Sequence, residues 1–285
     1  MVNNKLSCWL KYISNSTSIT ELSIPGSHDA MTALCDNPHY KTQYLSLDEQ
    51  LNIGVRFFDL RITRNLVAAH RKWISDIEAK TIFDQLRQFL IQFPSEFIIV
   101  RLQNANEKKD DFEQYKLAIQ TFITGYLDDI YTPKLNPDKN MPSYDWPTIG
   151  EVRGKIIVIE CAPTSLKVSS LNNQNWAYNW HENENIVLQD NWNGPDIDEK
   201  LKDIKTLLNP LLNYDNKLIL NHISATNGNL ADPIAYAEII NPIIANKLKK
   251  MERSSGKGVL IYDFIDDELA INTIKVNVFN NVYIA

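Results

Sequence analysis

The sequence predicts an α/β fold, a TIM-like (β/α)8 barrel in which residues 1–285 form a single domain. Apolar runs such as KIIVIE, KLILNH and GVLIYDF indicate strands buried on both faces, as in a parallel sheet covered by helices. About eight such runs alternate with stretches of helical periodicity, which is the rhythm of a barrel. The chain has 285 residues, 44% of them hydrophobic, and this length is ordinary for one α/β barrel.

The predicted strands are apolar runs bounded by turn residues. They cover residues 21–24, 55–61, 66–69, 97–102, 156–160, 186–189, 218–221 and 259–263.

The predicted helices have apolar residues on one face, and the first carries a stripe that ends before Pro94. They cover residues 77–92, 109–126, 198–212 and 233–250. The proline-containing stretch 132–146 is predicted to be a long surface excursion.

Charge and cysteine content exclude several classes of protein. The net charge of −6 argues against a general nucleic-acid binder and against tight adhesion to anionic membranes. The three cysteines are widely spaced, form no CxxC pair and predict no zinc site. The N-terminal residues contain no apolar stretch long enough for a signal-peptide core. We therefore expect a mature form, a cytoplasmic protein or a protein exported by another route.

Polar residues recur where the predicted strands end. Because TIM barrels place catalytic groups at the carboxyl ends of their strands, these residues are candidates for one site. They are His28, Arg61, His70, Gln103, Glu160, Asp190, His222 and Asp263.

Two histidines and one arginine give this set a specific chemistry. His28 follows the Pro25–Gly26 turn in SIPGSHDA, and His70 ends the run LVAAH. Between them, Asp59 and Arg61 have strand spacing, which puts both side chains on one face. One imidazole can accept a proton from an attacking hydroxyl and the other can protonate a leaving oxygen. The guanidinium can hold a phosphate between them. The competing interpretations are solvent-exposed histidines and an internal Asp59–Arg61 ion pair.

Five segments in order along the chain also resemble bacterial phosphatidylinositol-specific phospholipase C, of the phospholipase C X-domain family. They are SIPGSHDAMT, GVRFFDLRI, the run ending at His70, VLQDNWNGP and LNHISATNG, and LIYDF follows near the end. The resemblance implies a distorted TIM barrel and a two-step reaction. In the first step the inositol 2-hydroxyl attacks phosphorus, releasing diacylglycerol and forming inositol 1,2-cyclic phosphate. In the second step the cyclic phosphate is hydrolysed slowly.

The resemblance also implies roles for individual residues. His28 corresponds to the general base, with Asp263 orienting it, and His70 corresponds to the general acid, with Asp29 as its partner. Arg61 corresponds to the arginine that contacts the phosphate oxygens. It supplies the charge that calcium supplies in other relatives, so we expect no metal and no other cofactor.

For substrate binding, the resemblance points to Asp59 beside Arg61 and to Asp190, which corresponds to a residue that hydrogen-bonds inositol hydroxyls. Trp192 stands where the family has a tyrosine forming one wall of the inositol pocket.

The chain departs from the family pattern at several positions. Gln103 stands where relatives often carry a lysine toward the inositol, and Glu160 is near where they carry an arginine. Arg71 follows His70 where the family usually has glycine. With few obvious cations in the pocket, we expect no cleavage of phosphorylated inositides. His222 is interpreted as a barrel histidine with satisfied hydrogen bonds and no catalytic role, and His39 and His181 as solvent-facing loop residues.

The expected partners follow from the same resemblance. They are phosphatidylinositol or glycosyl-phosphatidylinositol in membranes, with transient contact at the membrane surface, no nucleic acid, and a monomeric enzyme. Because no tryptophan follows Trp192, Tyr40, Tyr44, Ile243 and Ile244 are the candidates for membrane contact. The resemblance implies secretion, although the sequence shows no signal peptide. Two alternatives remain open: a phosphodiesterase of this fold with a different headgroup, and a barrel that binds inositol lipids without turnover.

Overall fold

Eight parallel strands form one curled sheet at the centre of the computed structural model, which describes residues 6–136, 143–209, 214–253 and 256–280. In the order of their hydrogen bonding they are β11 (Tyr178–Asn179), β8 (Ile156–Glu160), β5 (Ile98–Asn104), β2 (Phe57–Ile62), β1 (Ser23–Ser27), β14 (Gly258–Tyr262), β13 (Leu218–His222) and β12 (Ile186–Gln189). Within the described ranges the ladder ends at β11 and β12. The barrel is open there, and the predicted distorted barrel is confirmed.

Helices surround this sheet, and all except the short α4 pack on its outer face. They are α1 (Leu47–Asn52), α2 (Ala79–Gln92), α3 (Phe112–Ile123), α4 (Ile149–Val152), α5 (Ile197–Leu207), α6 (Pro233–Lys249) and α7 (Asp267–Lys275). Ser46 caps α1 in a capping box with Glu49, and the Asp196 side chain caps α5. The predicted helices agree with α2, α3, α5 and α6 to within a few residues, and positions 210–212 of the third prediction lie outside the described residues.

Strand alternation divides the core into two layers. In β2, Phe57 points into the barrel, whereas Phe58 and Leu60 pack against the helices. Trp9 and Trp146 are buried in the inner cluster, and the Trp146 ring stacks on Tyr178 with centroids 4.1 Å apart. The surface excursion predicted for 132–146 is therefore wrong at Trp146, because this large apolar side chain fills the barrel interior.

The predicted strand 66–69 has a different place from the one expected. It forms β3 (Val67–His70), which pairs antiparallel with β4 (Trp73–Glu78) as a hairpin beside the barrel. The short strand β11 takes the eighth position of the parallel sheet. A run of four residues is long enough either for a hairpin strand or for a barrel strand, so the apolar run 66–69 alone does not distinguish these two structures.

Two short antiparallel ladders complete the secondary structure: β6 (Leu135–Asn136) pairs with β7 (Ser143–Tyr144), and β9 (Ser170–Leu171) pairs with β10 (Gln174–Asn175). None of the described helices is both long enough and apolar enough to cross a membrane.

Arg56 and Glu96 form a buried ion pair that does not belong to the group of polar residues at the carboxyl ends of the strands. The Arg56 guanidinium, fully buried ahead of β2, donates from Nε to Glu96 Oε2 at 3.0 Å. It also donates to the carbonyls of Leu51, Val55 and Ser7. The pair thus connects the N-terminal segment to the barrel, a structural role that no sequence pattern indicates.

Candidate active site

A cavity of about 360 Å³ opens at the carboxyl ends of the parallel strands. Seven of the predicted site residues line it: His28, Arg61, His70, Gln103, Asp190, Trp192 and Asp263. Two more, Asp29 and Asp59, do not line the cavity but are buried beside it, and both contact Arg61. The tenth, Glu160, is elsewhere.

His28 is held by the ends of two neighbouring strands. Its backbone N–H donates to the Tyr262 carbonyl at 3.0 Å, which extends the β1–β14 ladder by one residue. This register brings its Nδ1 within 2.7 Å of Asp263 Oδ1. Nε2 then points at Arg61, whose Nη2 is 3.2 Å away. Burial lowers the pKa of His28, but Asp29 and Asp263 outweigh it and raise the pKa to about 9.

His70 reaches the cavity from the β3–β4 hairpin. Its Nδ1 lies 2.7 Å from the Tyr40 carbonyl oxygen, which can only accept, so Nδ1 carries a proton. Its Nε2 lies 3.0 Å from Asp29 Oδ2. A second hydrogen bond to that carboxylate requires a proton on Nε2 as well. The geometry therefore suits the doubly protonated imidazolium, which is the form that can act as an acid.

Asp29 joins the two histidines to Arg61. One oxygen contacts Arg61 Nε, and the other lies 3.3 Å from His28 Nε2 and 3.0 Å from His70 Nε2. Burial raises the pKa of Asp29, but Arg61 and the two histidines outweigh it and hold the pKa well below its usual range. Its backbone φ is +41°, a left-handed conformation that aspartate tolerates better than most residues.

A missed cation lies on the neighbouring strand. Arg101 and Gln103 are two residues apart on β5 and share its inner face, and both line the cavity. Arg101 Nη1 lies 3.2 Å from Asp59 Oδ2, and its guanidinium stacks on the Trp180 ring at 4.1 Å. The signal was present in IIVRLQN, because any strand that turns Gln103 inward turns Arg101 inward too.

Glu160 requires a correction. On β8, Ile157 and Ile159 face the barrel interior, so Glu160 faces the helix layer. Its carboxylate accepts from the Ala162 N–H at 3.0 Å, and burial raises its pKa to about 8. Contact between Glu160 and a headgroup in the cavity is not expected. The side chain that β8 turns toward the interior at this level is the next residue, Cys161.

His222 lies beside His28, with ring centroids 5.7 Å apart. Its Nδ1 is 3.3 Å from Ser224 Oγ and 3.7 Å from Asp190 Oδ1, whereas its Nε2 is buried and has no hydrogen-bond partner among the described residues. The expected satisfied histidine is therefore only half satisfied. Burial lowers its pKa to about 3, so the ring is neutral.

Aromatic and basic side chains form the rim. The Arg71 guanidinium lies 5.9 Å from the Trp192 ring and 5.9 Å from the Tyr40 ring. Arg71 has φ +54°, a left-handed conformation that glycine adopts without strain. Tyr44 and Ile243 are exposed, but Ile244 is buried and cannot contact a membrane. His39 and His181 are exposed, as expected.

The cluster contains groups that can accept a proton, donate a proton and hold an anion. The His28 and His70 ring centroids are 6.4 Å apart, and Nε2 of each ring faces both Asp29 and the cavity in which Arg61 lies. His28, Asp29 and Asp59 also bring potential metal-ligand atoms within 4.8 Å of one another. The Arg61 guanidinium contacts both of these carboxylates and supplies the positive charge there.

Comparison with known proteins places this geometry in context. A family model described as PI-PLC X 1 matches residues 15–238. The chain is 33% identical over 281 residues to 1-phosphatidylinositol phosphodiesterase of Listeria monocytogenes, covering 95% of this chain and 85% of the relative. It is 26% identical over 286 residues to 1-phosphatidylinositol phosphodiesterase of Staphylococcus aureus, covering 90% of this chain and 87% of the relative.

Solved structures agree with these matches. Phosphatidylinositol-specific phospholipase C from Listeria monocytogenes superimposes with a TM-score of 0.84 and 30% identity, covering 96% of this chain and 99% of that one. A Staphylococcus aureus phosphatidylinositol-specific phospholipase C gives a TM-score of 0.76 at 24% identity, covering 96% and 98%, which supports the fold alone.

Proposed function

The chain belongs to the PI-PLC X domain family, and on this premise we propose that it is a phosphatidylinositol phosphodiesterase that works by general acid–base catalysis. One observation carries the mechanism: His28 and His70 lie on two sides of Asp29 and Arg61, each with a separate hydrogen-bond partner at Nδ1. The two imidazoles are thereby fixed with their Nε2 atoms toward the same space, where one can accept and the other can donate a proton.

In the first step the inositol 2-hydroxyl oxygen bonds to phosphorus, and its proton passes to Nε2 of His28. The bond between phosphorus and the diacylglycerol oxygen breaks, and that oxygen takes the proton from Nε2 of His70. Arg61 holds the non-bridging phosphate oxygens, on which charge develops. Arg61 is itself fixed by Asp29 and Asp59, so it needs little rearrangement during the reaction.

In the second step the two histidines exchange roles. Water attacks the phosphorus of the cyclic ester and gives its proton to His70, which the first step left neutral. The bond from phosphorus to the 2-oxygen breaks, and this oxygen takes the proton from His28. The products are inositol 1-phosphate and the enzyme in its starting protonation state.

Substrate binding uses the other side of the cavity. Asp190 follows β12 and faces the cavity with a carboxylate that can accept from ring hydroxyls, and Gln103 offers an amide. Trp192, 40% exposed, offers its ring to the apolar side of the inositol. Asp59 contacts Arg61 and Arg101 and so acts on the substrate through them.

We extend the proposal to transient membrane contact by a monomer. Tyr44 and Leu34 are 63% and 76% exposed on the segments that follow His28, and Lys41 lies over the Tyr44 ring at 5.7 Å. Such a pair, with an amphipathic ring beside a cation, suits the interface between lipid headgroups and water. Vesicle sedimentation of Tyr44→Ser beside the unchanged chain tests this part.

Phosphorus NMR of the products tests the central proposal. With phosphatidylinositol vesicles, we expect a cyclic phosphodiester signal first and an acyclic monoester later. Direct appearance of the monoester would show attack by water and contradict the mechanism. His28→Ala and His70→Ala should each lose at least about 10²-fold in rate. Near-native turnover by either variant would sink the assignment of roles. If phosphatidylinositol is not cleaved while another phosphodiester is, the headgroup assignment fails and the mechanism stands.

A further inference from the structure

Arg71 is a cation at the rim of the catalytic cavity that the proposed mechanism does not use. It is the first residue of the two-residue turn between β3 and β4, and it directly follows His70. Its side chain lines the same cavity as those of His70, Arg61 and Trp192. Lys72, the second residue of the turn, is exposed and does not line this cavity. The turn therefore directs one of its two cations toward the site and the other toward solvent.

Two aromatic rings lie on either side of the Arg71 guanidinium. Its Cζ is 5.9 Å from the centroid of the Tyr40 ring and 5.9 Å from that of the Trp192 ring. Tyr40 lies between β1 and α1, and its ring centroid is 6.2 Å from that of His70, whereas Trp192 lies between β12 and α5. The guanidinium is thus placed between the His70 side of the cavity and the Trp192 side. Cation–π contacts at this distance are weak, so they position the side chain without fixing it.

The Arg71 guanidinium has no hydrogen bond and no ion pair with the part of the chain that the structure describes. The other two arginines of the cavity are held by carboxylates. Arg61 contacts Asp29 and Asp59, and Arg101 contacts Asp59. The half-buried Arg71 therefore has all of its N–H donors available to a ligand. A guanidinium is suited to phosphate oxygens, to which it donates two parallel hydrogen bonds.

The first step of the proposed reaction leaves an anion on this side of the cavity. His70 protonates the diacylglycerol oxygen, so the lipid leaves past His70 and past Arg71, the next residue. Diacylglycerol is a neutral alcohol, whereas the cyclic phosphate that remains at Arg61 is negatively charged. A cation beside the exit therefore attracts the anion and has no comparable attraction for the lipid.

We propose that Arg71 binds the substrate of the second step. After diacylglycerol leaves, the guanidinium binds the non-bridging oxygens of inositol 1,2-cyclic phosphate and retains this ester in the cavity. Retention prolongs the time in which water attacks the phosphorus and gives its proton to His70. A larger share of the cyclic ester is then hydrolysed before release, although part of it still leaves. This inference rests on the proposed function and deepens it.

Kinetics with soluble inositol 1,2-cyclic phosphate test the proposal without a membrane. The proteins compared are the unchanged chain, Arg71→Gly, Arg71→Gln and the control Lys72→Gln, which removes a charge from the same turn. We expect the KM for the cyclic ester to rise at least about tenfold in both Arg71 variants, because a charge-assisted hydrogen bond is lost. The kcat should stay within about threefold, since this contact is made before the transition state. The control should keep its KM within about twofold.

The two Arg71 variants separate charge from backbone conformation. Arg71 has φ +54°, which glycine adopts without strain, so Arg71→Gly should have a urea midpoint no lower than that of the unchanged chain. Arg71→Gln keeps a long polar side chain on the same backbone and removes only the charge. A KM that rises in Arg71→Gly alone would assign the effect to the turn and overturn the proposal. An unchanged KM in both variants would overturn it as well.

Phosphorus NMR with phosphatidylinositol vesicles measures retention during turnover. At equal release of diacylglycerol, both Arg71 variants should show more free cyclic ester and less monoester than the unchanged chain. The rate of diacylglycerol release should stay within about threefold, because the lipid occupies the exit during the first step. The same ratio of cyclic ester to monoester in the variants and the unchanged chain would overturn retention.

Calorimetry with inositol 1-phosphate separates failure of this inference from failure of the proposed function. This probe binds without turnover, and we expect its affinity to be at least about tenfold lower in both Arg71 variants than in the unchanged chain and Lys72→Gln. If phosphatidylinositol is not cleaved, the proposed function fails, and this difference still decides whether Arg71 binds a phosphate. Equal affinities in every variant would overturn the proposal even where the lipid is cleaved.

Discussion

Asp263 Oδ1 lies 2.7 Å from Nδ1 of His28, and this bond leaves Nε2 of the imidazole facing Arg61 and the cavity. Both groups are at strand ends, so the relationship is fixed by the parallel pairing of β1 with β14. The carboxylate sets the tautomer and the orientation of the His28 imidazole and is one of the groups that raise its pKa.

Asp263→Asn should therefore remove charge while keeping the shape of the site. We expect kcat to fall on the order of 10²-fold, because the amide no longer stabilises the imidazolium that forms when His28 takes a proton. The pKa of His28 should fall as well, since Asp263 is one of the groups that raise it. The pH dependence of kcat/KM measures both effects. A variant with unchanged rate and profile would show that Asp263 does not act through His28.

The raised pKa of His28 predicts how activity depends on pH. With a pKa of about 9, the imidazole is mostly protonated at neutral pH and cannot accept a proton. The kcat/KM should rise close to tenfold per pH unit between about pH 6 and pH 8 and level off near pH 9. Soluble substrate keeps the membrane out of this measurement. A flat profile over that range would argue against His28 as the base in the free enzyme.

Folding stability should change in the opposite direction. The pKa of His28 is raised from 6.5 to about 9 in the folded chain, so its stabilisation is complete below about pH 6.5 and is lost as pH rises through 9. The effect is on the order of 3 kcal/mol. Urea unfolding at pH 6 and pH 9.5 should show this loss in the unchanged chain and much less of it in His28→Ala. Equal losses in both would assign the pH dependence to other groups.

The sequence located most of this site because its residues sit at strand ends. Apolar runs mark the strands, and the polar residue that ends each run then belongs to the rim of the barrel. His28, Arg61, Asp190 and Asp263 were found in this way, and the structure brings them to one cavity. Whether each plays its assigned part stays a prediction.

Glu160 and Arg101 do not follow this rule. Glu160 ends its run, but the register of β8 turns it toward the helices and turns Cys161 inward. A shift of one residue reverses the face, and an apolar run buried on both sides carries no alternation to fix it. Arg101 lies in the middle of β5 and not at its end, and its partners Asp59 and Trp180 come from distant parts of the chain, so the strand-end pattern does not indicate it.

Arg61→Lys should show that a point charge cannot replace the guanidinium. Arg61 contacts Asp29 through Nε and both Asp59 and His28 through Nη2, and a lysine ammonium cannot span these groups. We expect kcat to fall at least about tenfold with a smaller change in KM, because the contact that strengthens in the transition state is lost. An equal rate in Arg61→Lys would show that charge alone is sufficient.

A chelator provides the complementary test of metal independence. Because Arg61 already supplies positive charge to Asp29 and Asp59, the rate of phosphatidylinositol cleavage should not change with EDTA, and added calcium should not raise it. The control is Asp59→Asn, which removes one of the three potential ligands and weakens the hold on Arg61. This variant should lose activity without gaining a calcium requirement. Restoration of activity by calcium in either protein would contradict metal independence.

Glu96→Gln should separate stability from catalysis. Glu96 accepts a hydrogen bond from Nε of the fully buried Arg56 and forms an ion pair with its Nη2, and removing the Glu96 charge leaves that guanidinium without a counter-ion. Loss of one partner of a buried pair costs about 3–5 kcal/mol, so the urea midpoint should fall sharply. The exposed pair of Lys249 with Glu268 provides a matched control, and Glu268→Gln should barely move the midpoint. Below the unfolding transition, the kcat of Glu96→Gln should equal that of the unchanged chain, and a lower kcat would connect this pair to the site.

His222→Phe tests whether every histidine near the cavity takes part in the chemistry. The His222 ring is buried and neutral, and its Nε2 has no partner in the described chain. A phenyl ring keeps the edge-on contact with His28 and removes the unsatisfied nitrogen. We expect kcat/KM within about threefold of the unchanged chain, the same pH profile and no loss of stability. A large drop in kcat/KM would instead show that Nε2 binds substrate, directly or through water, and that the role of His222 was underestimated.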